Sequence, residues 1–128
     1  MKRLLLSLAG CLVLAAFPAQ LAARDLKMIA ELPDHTQLFL DRSSVRRVGR
    51  DGKALREAIV SIDNRRDALA DIKVEADCAA RQLRVIWSRA FNRETGAPRS
   101  DWSIAPHALA SPRGQLEVSA FKAICEVP

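Results

Sequence analysis

The sequence predicts an α+β fold: an antiparallel β-sheet of about five or six strands with a C-terminal helix, stapled by one disulfide. Apolar and charged residues alternate from Asp71 to Cys78, which is typical of a half-buried strand. The spacing of the apolar residues becomes typical of a helix after Gly114, near the end of the chain. Two cysteines, Cys78 and Cys125, lie in these two segments and could join them.

The first 23 residues have the pattern of a secretory signal peptide. They begin Met-Lys-Arg, continue with an apolar centre and small residues, and contain no acidic side chain. Pro18 and Gln20 interrupt the apolar run, which is too short for a membrane-spanning helix of about 20 residues. We expect cleavage before Arg24, which leaves residues 24–128 as a single domain.

A lipoprotein signal is the alternative for this segment. Leu8-Ala9-Gly10-Cys11 resembles a lipobox, in which Cys11 would carry the lipid and become the mature N-terminus. The apolar run continues well past Cys11, which favours the cleaved signal peptide. Membrane attachment is therefore expected only if Cys11 is lipidated.

Charge and cysteine content describe the domain after cleavage. Loss of Lys2 and Arg3 leaves 18 basic and 15 acidic side chains, a net charge of +3. A nucleic-acid-binding protein usually has a denser basic face, so no nucleic acid is expected as a partner. An even pair of cysteines in an exported chain predicts a Cys78–Cys125 disulfide. Two buried free thiols are the alternative.

The N-terminal half of the domain reads as short strands. Lys27–Glu31 and Gln37–Leu40 are apolar runs separated by a turn at Pro33-Asp34. Asp41–Ser44 resembles a polar corner or a single helical turn, and Val45–Val48 a further short strand.

A hairpin is expected next. Gly49–Gly52 is a turn signal because glycine readily adopts a positive φ. Lys53–Ile62 follows as a long strand, although a helix competes over Ala54–Ala58. The β-branched Ile59 and the residues after it favour the strand.

The second half predicts a strand pair, a short edge strand and the helix. Asp71–Cys78 and Gln82–Phe91 form the antiparallel pair, and Trp102–Pro106 the edge strand between two loops, Arg93–Ser100 and His107–Gly114. Trp87 and Trp102 are expected as apolar anchors of their strands, with a ligand platform as the alternative. One face of the second strand groups Leu83, Val85, Trp87 and Phe91, and the helix stripe groups Leu116, Ala120, Phe121 and Ile124.

Catalytic and metal-binding patterns are not found in the sequence. His35 and His107 lie in predicted turns, and the two histidines and two cysteines lack the spacing of a zinc site. Glu75 and Asp77 are expected on a solvated strand face rather than in acid–base chemistry. The sequence therefore predicts no enzyme, no cofactor and no metal.

A basic patch is the candidate binding site. Four arginines, Arg42, Arg46, Arg47 and Arg50, cluster around the first hairpin. Such a patch could bind sulfated polysaccharide, anionic lipopolysaccharide or an acidic protein face. The alternative is compositional, because 14 arginines against 4 lysines in residues 24–128 is also what a GC-rich genome gives.

Four segments, in order, resemble the surface-adhesin protein E-like domain family. Phe39–Arg47 is similar to its (Y/F)-(V/L)-D-x-x-S-(I/V) segment, and Ala76–Arg84 to its x-D-C-x-x-R-x-x-R stretch. Trp102–Pro106 resembles its W-x-x-(V/I)-x-P, and Ala123–Cys125 its closing x-(V/I)-C. The resemblance covers roughly residues 28–125. It departs from the family at Lys27-Met28-Ile29, where a tryptophan is common, and in having no tyrosine.

This resemblance implies an exported domain of a Gram-negative bacterium, periplasmic, secreted or on the cell surface, with an antiparallel sheet and a Cys78–Cys125 disulfide. It also implies adhesion to host matrix proteins. Two functions are therefore expected. The first is a small non-catalytic binding module for matrix proteins or anionic surface ligands. The second is a periplasmic structural or accessory protein without an adhesive role.

Overall fold

The computed structural model describes residues 24–128, so the predicted signal peptide and Cys11 lie outside the described residues. Neighbouring strands pair antiparallel in the order β1-β2-β3-β4-β5-β6, and a helix follows. This architecture confirms the predicted α+β fold. No helix within these residues is both long and apolar enough to cross a membrane. The elements are β1 (Leu26–Glu31), β2 (Gln37–Arg50), β3 (Lys53–Asp63), β4 (Ala68–Asp77), β5 (Gln82–Asn92), β6 (Pro98–Arg99) and α1 (Gly114–Glu126).

The hydrophobic core lies between one face of the sheet and α1. Ala120 and Ile124 of the helix are fully buried against this face, which we call the helix face. Because side chains alternate along a strand, the residues between them point to the opposite side, which we call the helix-free face. The buried strand residues of the helix face include Leu38, Leu40, Ala58, Val60, Ile62, Ala70, Ile72, Val74, Leu83 and Val85.

Covalent and polar contacts hold the end of α1 against the sheet. A disulfide of 2.06 Å joins Cys78, just after β4, to Cys125 in the last turn of the helix, which confirms the predicted pairing. Arg56 of β3 donates from Nη1 to the carbonyl oxygens of Ile124 and Val127. The last carbonyls of a helix have no partners within it, so Arg56 satisfies two of them.

The hairpin between β2 and β3 has the predicted position. Asp51 and Gly52 both have positive φ, 52° and 72°, as the two central residues of a type I′ turn require. Ala54–Ala58 continues directly from this turn as part of β3. The strand prediction is confirmed there, and the competing helix is wrong.

A bulge replaces the predicted corner at Asp41–Ser44. β2 runs through this segment as one strand, and its pairing register with β3 shifts between Asp41 and Arg46. The Ser44 hydroxyl donates to the Asp41 carbonyl oxygen and accepts the N–H of Ile59 at 2.8 Å. The polar residues therefore satisfy the backbone of a bulge instead of ending the strand.

The edge strand is shorter and earlier than predicted. Trp102–Pro106 is not a strand, whereas Pro98–Arg99, expected in a loop, forms β6 beside β5. The Ser88 hydroxyl accepts the N–H of Ile104 at 2.8 Å and donates to its carbonyl oxygen at 2.9 Å. At Ile104, the Ser88 side chain thus takes the place of the backbone of a neighbouring strand. We call residues 98–110, which follow the outer edge of β5, the strap.

A second bulge divides β5. Val85 pairs with Val74 and Trp87 with Lys73, so Ile86 is an additional residue on β5. The expectation that Trp87 shares a face with Val85 is therefore wrong, because directly opposed residues lie on the same face. Trp87 lies on the helix-free face with Lys73 and is only partly buried.

Candidate functional site

Two carboxylates are buried on the helix-free face. Glu57 of β3 and Glu75 of β4 are directly opposite each other, and their side chains are 3% and 2% exposed. The prediction of a solvated face for Glu75 and Asp77 is therefore wrong, since both residues are buried. Like charges directly opposite each other destabilise a sheet unless cations compensate for them.

Arg46 and Lys73 compensate for Glu57. Glu57 Oε1 accepts from Arg46 Nη2 at 2.6 Å and from Arg46 Nε at 3.0 Å. Lys73 Nζ lies 2.7 Å from the same oxygen. These two cations come from the strands on either side of β3, so the register of the sheet assembles them around one carboxylate.

Arg50 and Arg84 compensate for Glu75. Arg50 Nε donates to Glu75 Oε2 at 2.7 Å, and Arg84 donates to Oε1 from Nη2 at 3.0 Å and from Nε at 3.2 Å. Arg50 Nη2 also lies 3.5 Å from Glu57 Oε2 and so connects the two carboxylates. We call these six residues the ion-pair cluster: Arg46, Arg50, Glu57, Lys73, Glu75 and Arg84.

The electrostatics of the cluster favour the charged states of Glu57 and Arg50. Burial alone raises the pKa of Glu57, but the hydrogen bonds from Lys73 and Arg46 together outweigh it and hold the pKa below its ordinary value of 4.5. The hydrogen bond to Glu75 raises the pKa of Arg50. Four cations surround two anions, so the cluster carries two excess positive charges.

The arginine heads are fixed but still face solvent. Arg46 and Arg84 each donate from Nε and Nη2 to one glutamate, whereas Arg50 donates from Nε to Glu75 and from Nη2 to Glu57. Within residues 24–128, none of the three donates from Nη1. The side chains of Arg46 and Arg50 are 66% and 48% exposed, whereas that of Arg84 is only 26% exposed. A guanidinium has five N–H donors in a rigid plane, so each head can bind a glutamate and a second anion.

The structure brings together two of the four arginines of the predicted basic patch. Arg46 and Arg50 belong to the ion-pair cluster. Arg42 instead donates to Asp25 at 2.8 Å, and this hydrogen bond raises its pKa. Arg47 pairs across the sheet with Arg56, which reaches the end of α1, so Arg47 lies on the helix face.

Sequence reasoning missed Lys73 and Arg84 as members of the site. Lys73 precedes Glu75 by two positions on the same strand face, and Arg84 is directly opposite Glu75 on β5. The alternation along β4 indicates that Lys73 lies on the same strand face as Glu75. Placing Arg84 beside Glu75 requires the β4–β5 pairing register, which a single sequence does not supply.

The two histidines contact backbone groups and one carboxylate. His107 Nε2 accepts the N–H of Val85 at 3.3 Å, and its Nδ1 lies 2.9 Å from the Ala108 carbonyl oxygen. His35 Nδ1 lies 3.7 Å from a carboxylate oxygen of Glu31. In the part of the chain that the structure describes, no three His, Cys, Asp or Glu residues are grouped to hold a metal ion.

Comparison with known proteins adds no family to these observations. No family model, no curated protein and no solved structure matches the chain. The resemblance to the surface-adhesin protein E-like domain family therefore stays a prediction from the sequence.

Proposed function

We propose that this chain is a small, exported, non-catalytic binding module whose ligand is anionic and binds at the ion-pair cluster. One observation carries the proposal: two buried carboxylates hold three guanidinium groups in place, of which those of Arg46 and Arg50 belong to largely exposed side chains, and leave two excess positive charges. The ligand belongs to a cell surface or to the matrix around it, in keeping with the family resemblance.

Preorganisation of the arginines is the physical basis for binding. A flexible arginine loses side-chain entropy when it binds a ligand, and this loss opposes association. Here Glu57 and Glu75 have already fixed the heads of Arg46, Arg50 and Arg84. Fixed guanidinium groups suit sulfate, phosphate and carboxylate, which accept two parallel hydrogen bonds.

The disulfide supports the exported location. Structural disulfides form and persist in oxidising compartments and are rare in the cytosol of most organisms. The Cys78–Cys125 bond is therefore consistent with the signal peptide predicted for residues 1–23. A periplasmic or extracellular site of action follows from this part of the proposal.

Binding of a polyanion tests the function directly. The oxidised protein is titrated with dextran sulfate at low and moderate salt, and Arg50→Gln is compared with Arg47→Gln. Both variants lose one positive charge, but only Arg50 belongs to the cluster. We expect Arg50→Gln to weaken binding about tenfold, as for loss of a charge-assisted hydrogen bond, and Arg47→Gln to change it less than twofold.

The melting temperature of each variant is measured by circular dichroism as the control for folding. Equal losses in the two folded variants would show that only net charge matters and would overturn the cluster as the site. No binding by the native protein at low salt would favour a structural or accessory role instead.

A further inference from the structure

Trp87 lies beside the ion-pair cluster because of the β5 bulge. The additional residue Ile86 places Trp87 on the helix-free face, directly opposite Lys73. Regular alternation from Val85 would have turned the indole towards the core. Bulges are frequent next to binding sites, where they redirect a side chain.

A row of residues on β5 continues the cluster past Trp87. Arg84, Trp87 and Arg89 are opposite Glu75, Lys73 and Asp71 respectively, so all three lie on the helix-free face. The Arg89 guanidinium lies over the Trp87 ring, 4.2 Å from its centroid, so it orients the indole and covers one of its two faces. The cationic site therefore borders a partly exposed aromatic ring.

We propose that the ligand of the cluster is an anionic saccharide, a sugar chain carrying sulfate or phosphate groups, and that one sugar ring packs on the indole face of Trp87 opposite Arg89. This inference rests on the proposed function and specifies its ligand class. The C–H face of a sugar ring is apolar and packs on an indole, while the substituents at the ring's edge point outward. Lys73, directly opposite Trp87, and Arg84, on the same strand as Trp87, are the cluster cations available to sulfate or phosphate groups in those positions.

The position of the site within the sheet disfavours a peptide strand as the ligand. Glu57, Lys73 and Glu75 lie on β3 and β4, the central strands, which pair with strands on both sides. Their backbone groups are used within the sheet, so a peptide cannot bind there by adding a strand. Recognition depends on side chains alone, as suits a sugar chain lying across the face.

Tryptophan fluorescence locates the sugar ring. Trp102, in the strap, is the matched control, because Trp87 and Trp102 are the two tryptophans of the chain. Trp102→Phe leaves Trp87 as the fluorophore, and Trp87→Phe leaves Trp102. With a heparin-derived hexasaccharide as the probe, we expect a saturable emission change in Trp102→Phe and none in Trp87→Phe. Changes in Trp102 emission alone would overturn the assignment.

Affinities for three probes separate this inference from the proposed function. Trp87→Ala should weaken hexasaccharide binding about tenfold, as for loss of an aromatic stacking contact, and leave binding of inorganic sulfate and polyglutamate unchanged. If Arg50→Gln weakens hexasaccharide binding but Trp87→Ala does not, the saccharide inference fails and the anion site remains. If neither variant weakens it, both proposals fail.

A further titration distinguishes two sources of an anionic saccharide, a sulfated matrix polysaccharide and lipopolysaccharide. Phosphorylated core oligosaccharide from lipopolysaccharide is titrated beside the sulfated hexasaccharide. Tighter, Trp87-dependent binding of either one supports the inference and identifies the source. Polyglutamate binding more tightly than both would overturn it in favour of an acidic protein. Trp87→Leu keeps an apolar side chain but removes the aromatic ring, so it serves as the second variant if Trp87→Ala does not fold.

Discussion

The two faces of the sheet bury their side chains by different means. On the helix face, aliphatic residues such as Val60 and Ile72 pack under α1 and are fully buried. On the helix-free face, Glu57 and Glu75 are almost as buried, but arginine and lysine side chains cover them. Long basic side chains can cover a surface with their stems while their charged heads reach water.

This difference predicts different responses to chemical conditions. Packing on the helix face depends on apolar area and shape, which salt and mild acid hardly change. Packing on the helix-free face depends on charge, so protonation of Glu57 or screening of Arg50 acts on it directly. The comparison can therefore be tested one face at a time.

Loss of the disulfide between the helix and the end of β4 should have the largest effect, because the bond closes a long loop and so lowers the entropy of the unfolded chain. Replacing Cys78 and Cys125 with alanine should lower the free energy of unfolding by about 4 kcal/mol in the chain-entropy model. The corresponding fall in melting temperature is roughly 20 °C. Thermal denaturation of the variant and of the reduced native protein measures it. A melt that reductant leaves unmoved would contradict this expectation.

A cavity on the helix face should have the second-largest effect on stability. Ile72→Ala removes a fully buried side chain and should cost about 3 kcal/mol, largely independent of salt. Urea denaturation at low and high salt measures both properties. Strong salt dependence of this loss would show that the two faces are coupled, and would contradict the expectation that packing on the helix face is independent of charge.

On the helix-free face, removing a cation should cost more than removing an anion. Arg84→Met leaves the buried Glu75 with fewer hydrogen-bond donors and should lower the free energy of unfolding by about 2 kcal/mol. This loss should become smaller as salt is added. Glu75→Gln should cost less, because the heads of Arg50 and Arg84 can turn to water. Urea denaturation of the two variants tests the order. A larger loss for Glu75→Gln would overturn it.

Acid should act on the helix-free face through Glu57. The folded-state pKa of Glu57 is lowered, so its contribution to stability is full above pH 4.5 and is lost as the pH falls through the folded-state value. Glu57→Gln should cost about 1 kcal/mol at pH 7, and this difference should shrink towards pH 3. Melting temperatures of both proteins from pH 7 to 2.5 test it. A constant difference would contradict the assignment.

Local patterns in the sequence predicted much of the fold. Alternation in β4, the turn at Asp51-Gly52 and the helical stripe ending near Ile124 each depend on neighbours in the chain. The disulfide followed from the number of cysteines and the predicted export. These features need no knowledge of how strands pair.

The bulges and the ion-pair cluster could not be predicted in the same way, because both depend on pairing register. One additional residue, Ile86, exchanges the faces of every later position in β5, including Trp87. Glu57 and Glu75 are 18 positions apart in the chain but directly opposite each other in the sheet. Arg46 and Arg50 were identified as a basic patch, whereas the carboxylates beneath them were not.

The strand order has a consequence for how the chain acquires its structure. Each strand from β2 to β6 pairs with the strand that precedes it, so the sheet can assemble in order as the chain emerges, N-terminus first. Such local pairing favours rapid folding. Cys125 emerges 47 positions after Cys78, when the residues of all six strands have already emerged. The disulfide therefore cannot form before the whole sheet sequence is available, and an oxidant that acts earlier encounters Cys78 without its partner.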